Sequence, residues 1–269
     1  MTLADFQDRV HSVLLPAAAM QGDPIGTQIA SSACEVSRVF TCMEITDAVV
    51  DEAIKASCDT IVTFHPLIYS PLKALAGQDR VARLVARLVR SEISVVCVHT
   101  SFDAFPQGTN MIFAQKLGLS QTHPLQPAEA HDSPLGVYGM GIVGYCNLEF
   151  HELLERVSTV CSSPVRFSNP ATSQITKVAI VAGSGMSFYQ RAVDSGADVF
   201  ITADVKYHDF HAATSTIGII DPGHYEMEQF VPQGILSSLS DVCTGCELIA
   251  STVRTSPVEY YVPQTLQRH

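Results

Sequence analysis

The chain has 269 residues, 46% of them hydrophobic and 16% charged, and a formal net charge of −11. That length allows two ordinary lobes or one large domain, and the composition excludes disorder. The acidic balance argues against bulk nucleic-acid or anionic-membrane binding, since both reward a basic surface. No run approaches the roughly 20 apolar residues of a spanning helix. Asp5 and Asp8 carry the wrong sign for a signal peptide or presequence, so the cytoplasm is the expected compartment. Eight scattered cysteines read as buried thiols rather than a disulfide framework. The close pair Cys243 and Cys246 lacks the partners of a structural zinc site; a redox pair is the alternative to two small residues at a turn.

In chain order, residues 39–43 read as a buried strand, 47–57 as a helix and 59–63 as a second strand. Residues 80–90 form an amphipathic helix with Val81, Leu84, Val85 and Leu88 at core spacing, and 93–98 the next strand. Such alternation implies crossover units and a largely parallel sheet, whose sites lie at the carboxyl ends of the strands. Residues 121–135 break the rhythm with Pro124, Pro127 and Pro134, and read as a link into a second lobe. The expected division is 1–125 for lobe 1 and 126–219 for lobe 2, with 220–269 packing back towards the cleft and lobe 1.

The segments DEAIKASCDTIVTFHP (51–66) and QRAVDSGADVFITADV (190–205) align at a constant offset. Ala53 meets Ala192, Asp59 meets Asp198 and Thr63 meets Thr202. Each segment follows a strand and leads to another that ends in histidine: HTSFD (99–103) and HYEME (224–228). Both endings read His-x3-acid. A duplicated βαβ unit, giving two lobes related by an approximate two-fold axis, is the expectation; the plainer alternative is chance likeness between amphipathic segments.

Three places at strand ends could carry chemistry: His65, the pair His99 and Asp103, and the pair His224 and Glu228. Imidazole and carboxylate suit zinc, iron or manganese. On a helix, four-residue spacing puts Glu228 on the face of His224, where both could reach one ion. Taken singly, His65 could be a hydrogen-bonded terminator of its strand and Asp103 a helix cap. Gly183-Ser184-Gly185 could receive a phosphate on backbone N–H groups or simply make a tight turn. The arginine stripe 80, 83, 87 and 90 reads as a solvated face or an oligomer contact, and His208 as a cleft or structural residue.

The segments EAIKASCDTIVTFHPLIYSPLKAL, ISVVCVHTSFDAFPQGTNMIFAQKLGL, VAIVAGSGMSF, ADVFITADVKYHDFHAA and IIDPGHYEMEQF occur in an order that resembles the Nif-three-like family, often called GTP cyclohydrolase 1 type 2 homologues. The resemblance covers most of residues 39–231. It implies an α/β fold of two similar lobes with a dinuclear metal cleft between them, one or two divalent ions per chain, and a ring-like hexamer. It carries the metal ligands onto His65, Asp103, His224 and Glu228. It also implies that this chain lacks the extra domain inserted in longer members. Many bacterial members have two adjacent histidines before the proline; here the first is Phe64, which cannot ligate. His99 would then be an extra ligand or would orient Asp103 from behind. The expected function is a metal-dependent hydrolase of a nucleotide-like or phosphorylated small molecule, with Glu226 and Asp204 as candidate proton acceptors. The alternative is a non-catalytic metal-binding interaction or regulatory protein.

Overall fold

The computed structural model describes residues 1–32, 35–76, 79–129, 133–214 and 216–261. Helix α1 (Leu3–Val13) starts on a capping box in which Thr2 and Asp5 satisfy each other's backbone, and it buries Leu3, Phe6, Val10 and Val13. After strands β1 (Gly26–Ile29) and β2 (Arg38–Cys42), Thr46 caps α2 (Asp47–Lys55), which leads to β3 (Thr60–Thr63). Asp79 caps α3 (Arg80–Arg90), which buries Ala82, Leu84, Val85 and Leu88 and precedes β4 (Ser94–Cys97). Three arginines of the stripe face α2 and the turn before it: Arg83 pairs with Asp47, Arg87 with Asp47 and Asp51, and Arg80 donates to the Ile45 carbonyl. A five-residue helix, α4 (His99–Asp103), follows β4 directly, and α5 (Thr109–Lys116) comes next.

The second half repeats this plan. Strands β5 (Ser120–Pro127) and β6 (Gly139–Glu149) form a hairpin-like pair before α6 (Phe150–Cys161), β7 (Arg166–Ser168) and β8 (Gln174–Ile180). Helix α7 (Tyr189–Asp194), β9 (Val199–Ile201), α8 (Tyr207–Ala213) and β10 (Gly218–Asp221) follow. A second five-residue helix, α9 (His224–Glu228), succeeds β10 as α4 succeeds β4. The chain then returns through α10 (Val231–Leu239) to β11 (Glu247–Ala250), which pairs parallel with β2.

Two sheets result, ordered β1-β4-β3-β2-β11 and β5-β6-β8-β9-β10-β7. Within them β4-β3-β2 and β8-β9-β10 are all-parallel triplets wound the same way, and an antiparallel strand closes each outer flank, β1 on β4 and β7 on β10. The inferred repeat is therefore topological. It extends to hydrogen bonds: Asp59 Oδ2 accepts from Ser37 N, Ser37 Oγ and Arg38 N, and Asp198 Oδ2 accepts from Thr176 N, Thr176 Oγ1 and Lys177 N. Each carboxylate thus ties the start of one parallel strand to the start of the next.

One expectation is corrected. The stretch 121–135 is not all link, because its first part is β5, at the edge of the second sheet. Pro124 and Pro127 are compatible with a strand there, since an edge leaves one side of the backbone without ladder bonds. Residues 130–132 of that stretch lie outside those described. Among the described residues, no helix is long and apolar enough to cross a membrane.

Candidate metal centre

Parallel strands deliver the site. β3 ends in Thr63, and the chain there is held by Phe64 N to Cys42 O and His65 N to Met43 O, with Thr63 Oγ1 donating to the His65 carbonyl. His65 is thereby fixed at the strand's carboxyl end. From the other half, α9 presents His224 and Glu228 one turn apart. His65, His224 and Glu228 converge, with one ligand atom of each within 4.8 Å of the others. His65 Nε2 lies 3.2 Å and His224 Nε2 3.1 Å from the same oxygen, Glu228 Oε2. Two ligands on one tetrahedral ion at the usual bond lengths sit about 3.4 Å apart, so these separations suit a shared cation.

Charge and burial point the same way. Glu228 is 3% exposed, and the two imidazole nitrogens are the side-chain partners of its Oε2. Burial alone would raise its pKa, but His224 and His65 outweigh that and hold the carboxyl down at about 2. Burial likewise works against a charged His224, yet Glu228 and then Asp204 push its pKa up to about 10. Two imidazoles around a buried carboxylate oxygen make a donor set suited to a divalent ion.

His224 is oriented from behind. Its Nδ1 lies 2.7 Å from Asp204 Oδ2, which fixes the ring and leaves Nε2 for the site. Asp204, at the repeat position of His65, takes a left-handed backbone (φ 56°). Gly183 lets the elements meet. Its φ is +65°, and a Cβ there would strike Glu228 Oε1 and lie 3.2 Å from His224 Nε2. The phosphate reading of this loop is not supported at Gly185, whose N–H already bonds Thr202 Oγ1 (2.9 Å) and the Gly183 carbonyl (3.0 Å). His208 is exposed on α8 and absent from the cleft lining.

Asp103 stands outside the close group of three but near enough to feel it. The residue is 9% exposed and its Oδ1 is buried without a hydrogen-bond partner. Burial first, then the charge of Glu228, raises its pKa to about 7. A carboxyl raised in the fold has its ionised form penalised there: the cost is absent below the unfolded value, grows as pH climbs towards 7 and stays beyond it. In chelator, Asp103→Asn should therefore unfold later than wild type at pH 8, by on the order of 2 kcal/mol, with the gap closing near pH 4. Thermal melts at the two pH values check this.

His99 does not reach forward with Nδ1. That atom lies 2.7 Å from Asp23 Oδ1, while Asp23 Oδ2 accepts from Thr100 N (3.1 Å) and Thr100 Oγ1. Its ring packs edge-on to His65, with centroids 5.7 Å apart, so Asp23 positions His99 beside the site. Sequence reasoning missed Asp23, because a carboxylate in a loop 76 residues upstream carries no spacing signal. Phe64 is 1% exposed and fills the space between His65, His99 and Phe102.

The centre opens into a cleft of about 550 Å³ lined by residues from both sheets' strand ends and by the C-terminal segment through Tyr260. Glu44, Asp204, Asp221 and Glu226 are its carboxylates, and His65 and His224 stand in its wall.

The sequence profile of the Duf34/NIF3 (NGG1p interacting factor 3) family matches residues 1–257. A protein of Lactococcus lactis named GTP cyclohydrolase 1 type 2 homolog is 30% identical over 266 residues, covering 96% of this chain and 98% of its own. A Nostoc protein of the same name is 34% identical over 236 residues, covering 85% and 88%. Among solved structures, the Staphylococcus aureus hypothetical protein SA1388 superposes with a TM-score of 0.88 at 26% identity, over 97% of this chain and 99% of that one. A Bacillus cereus protein related to NIF3 gives the same TM-score at 22% identity over 97% and 99%, a likeness of fold alone. With its profile matched from the first residue to the 257th and a relative at 30% identity along nearly the full length, this chain belongs to the Duf34/NIF3 family.

Proposed function

We propose that the chain is a divalent-metal-dependent hydrolase of a small, nucleotide-like molecule, built on His65, His224 and Glu228 with Asp103 as a further ligand. The observation that supports it is the buried Glu228 Oε2 faced by two imidazole nitrogens at 3.1 and 3.2 Å, together with Asp103 Oδ1, which is buried without a partner and feels the charge of Glu228. When bound, a zinc, iron or manganese ion would supply Lewis acidity to a substrate carbonyl, phosphoryl group or ring carbon. The chain's own residues do the positioning: Asp204 sets the His224 ring, Asp23 sets His99, and the cleft is of small-molecule size. Ring opening of a guanine nucleotide is the activity suggested by the names of the relatives, and it enters here as part of the proposal. By resemblance the assembly is a hexameric ring, which sedimentation of the native protein tests.

A second reading, a metal-binding interaction or regulatory protein, draws on Phe64, a buried apolar ring at the place where the family resemblance implies a second histidine. One experiment separates the two. The protein is purified without chelator, its metals are counted, and nucleotides and phosphoesters are screened with and without manganese, zinc or iron. Turnover that follows metal content supports the hydrolase; retained metal without turnover on any substrate supports the second reading. Phe64→His should raise the metal count per chain by completing a second site, measured by inductively coupled plasma mass spectrometry. An unchanged count would remove Phe64 as the cause of a missing ligand.

A further inference from the structure

The cleft's charges do not favour the anionic end of a ligand. Arg166 is the single lysine or arginine in its lining among the described residues, and it is already engaged by Asp221. Asp221 is itself used twice more, by the N–H groups of Val205 (3.0 Å) and Gly223 (3.0 Å), and Asp204 is spent on His224. That leaves Glu44 and Glu226 uncommitted to any cation.

Glu226 is the unusual one. It is 4% exposed, it lines the cleft, and its Oε1 is buried with no hydrogen-bond partner. Its Oε2 lies beside the Tyr260 hydroxyl in a space kept clear by Gly223 (φ +100°). A Cβ on Gly223 would strike Oε2 and lie 2.6 Å from the hydroxyl. Tyr260 belongs to an irregular C-terminal segment rooted on lobe 1, where Glu52 accepts from Ser251 Oγ (2.7 Å) and Thr252 Oγ1 (2.6 Å). A carboxylate accepts on both oxygens and donates on neither, so a phenol, with one O–H, satisfies half of it at most. Two parallel N–H donors satisfy it fully, with a charge-assisted pair.

We propose that Glu226 is the cleft's recognition residue for a planar ligand edge bearing two adjacent N–H donors, and that the Tyr260 hydroxyl holds the place until that edge arrives. Amidines, guanidines and 2-amino-4-oxo rings all present such an edge. The inference rests on the reading of the cleft as a ligand site and names which end of the ligand enters it.

The test uses the full chain, purified with its metal, and calorimetric titration with two matched pairs: benzamidine against benzamide, and guanosine against inosine. The member with the donor pair should bind about tenfold tighter or more. Glu226→Gln should erase that ratio while the metal count per chain stays unchanged. Tyr260→Phe should tighten the donor-pair member several-fold and leave its control alone, which keeps the test open should the Glu226 variant not fold. Discrimination confined to the benzamidine pair assigns a cationic edge, and discrimination confined to the guanosine pair a neutral ring; either upholds the proposal. Ratios near one in both pairs, ratios that survive Glu226→Gln, or a Tyr260→Phe shift shared by both members overturn it. Absence of metal from the wild-type protein would count against the hydrolase reading instead, and would leave the donor-pair ratios to be judged separately.

Discussion

Glu228→Gln should weaken binding of a divalent ion roughly 10³-fold, a larger loss than the 10- to 100-fold typical of outer-shell changes. The substitution keeps the side chain's volume but removes the charge that both imidazoles face at 3.1 and 3.2 Å. Its effects on the neighbours have a definite sign. His224 loses the stronger of the two influences that push its pKa up to about 10, and Asp103 loses the charge that, after burial, raises its own. The metal-free variant should therefore release fewer protons on binding zinc, because wild-type His224 must give up its proton to ligate. Competition titration with a chromophoric chelator measures the affinity, and repeating the calorimetry in buffers of different ionisation enthalpy counts the protons. His208→Ala, on the exposed face of α8, should change neither. Equal losses at Glu228 and His208 would mean that the ligand set is wrong.

Gly183→Ala should be nearly as damaging although it deletes nothing. The residue sits at φ +65°, a conformation that costs an L-residue about 1 kcal/mol, and the added methyl would collide with Glu228 Oε1. Glu228 cannot easily yield, being 3% exposed and facing His65 and His224. Either the loop between β8 and α7 shifts or the carboxylate turns away. The expected result is a loss of about 2–4 kcal/mol in stability together with most of the bound metal. Chemical denaturation and a metal count on the same preparation check both. A variant with wild-type stability and metal content would show that the loop has slack that its packing does not suggest.

The parts of this molecule that could be read from sequence were those written in local patterns. The helix of residues 80–90 and the alternation from 39 to 98 follow from apolar spacing, and the structure differs from those readings by one or two residues at the ends. The duplicated unit was legible because Asp59 and Asp198 perform the same tie in each half, which preserves their spacing from the strands they bind. The His-x3-acid endings were legible because β4 and β10 each run straight into a single helical turn. What escaped was either non-local or chemically disguised. Asp23 meets His99 across 76 residues, and Tyr260 reaches Glu226 from a segment with no regular structure. β5 hid behind two prolines that an edge position tolerates. Asp204 was noticed by its repeat position, but only the fold shows that it grips the Nδ1 of His224 rather than standing free as a base.

The twin histidines His99 and His224 open equivalent helical turns, yet their rear nitrogens are gripped by carboxylates of different origin, Asp23 from the amino-terminal loop and Asp204 from within the repeat itself. Two identical subunits meeting across an axis could never differ in this way, since every substitution would appear on both sides at once. Joining both halves in one polypeptide lets each side of the mouth specialise. One side keeps its imidazole turned towards Glu228, and the other packs its imidazole against a neighbouring ring.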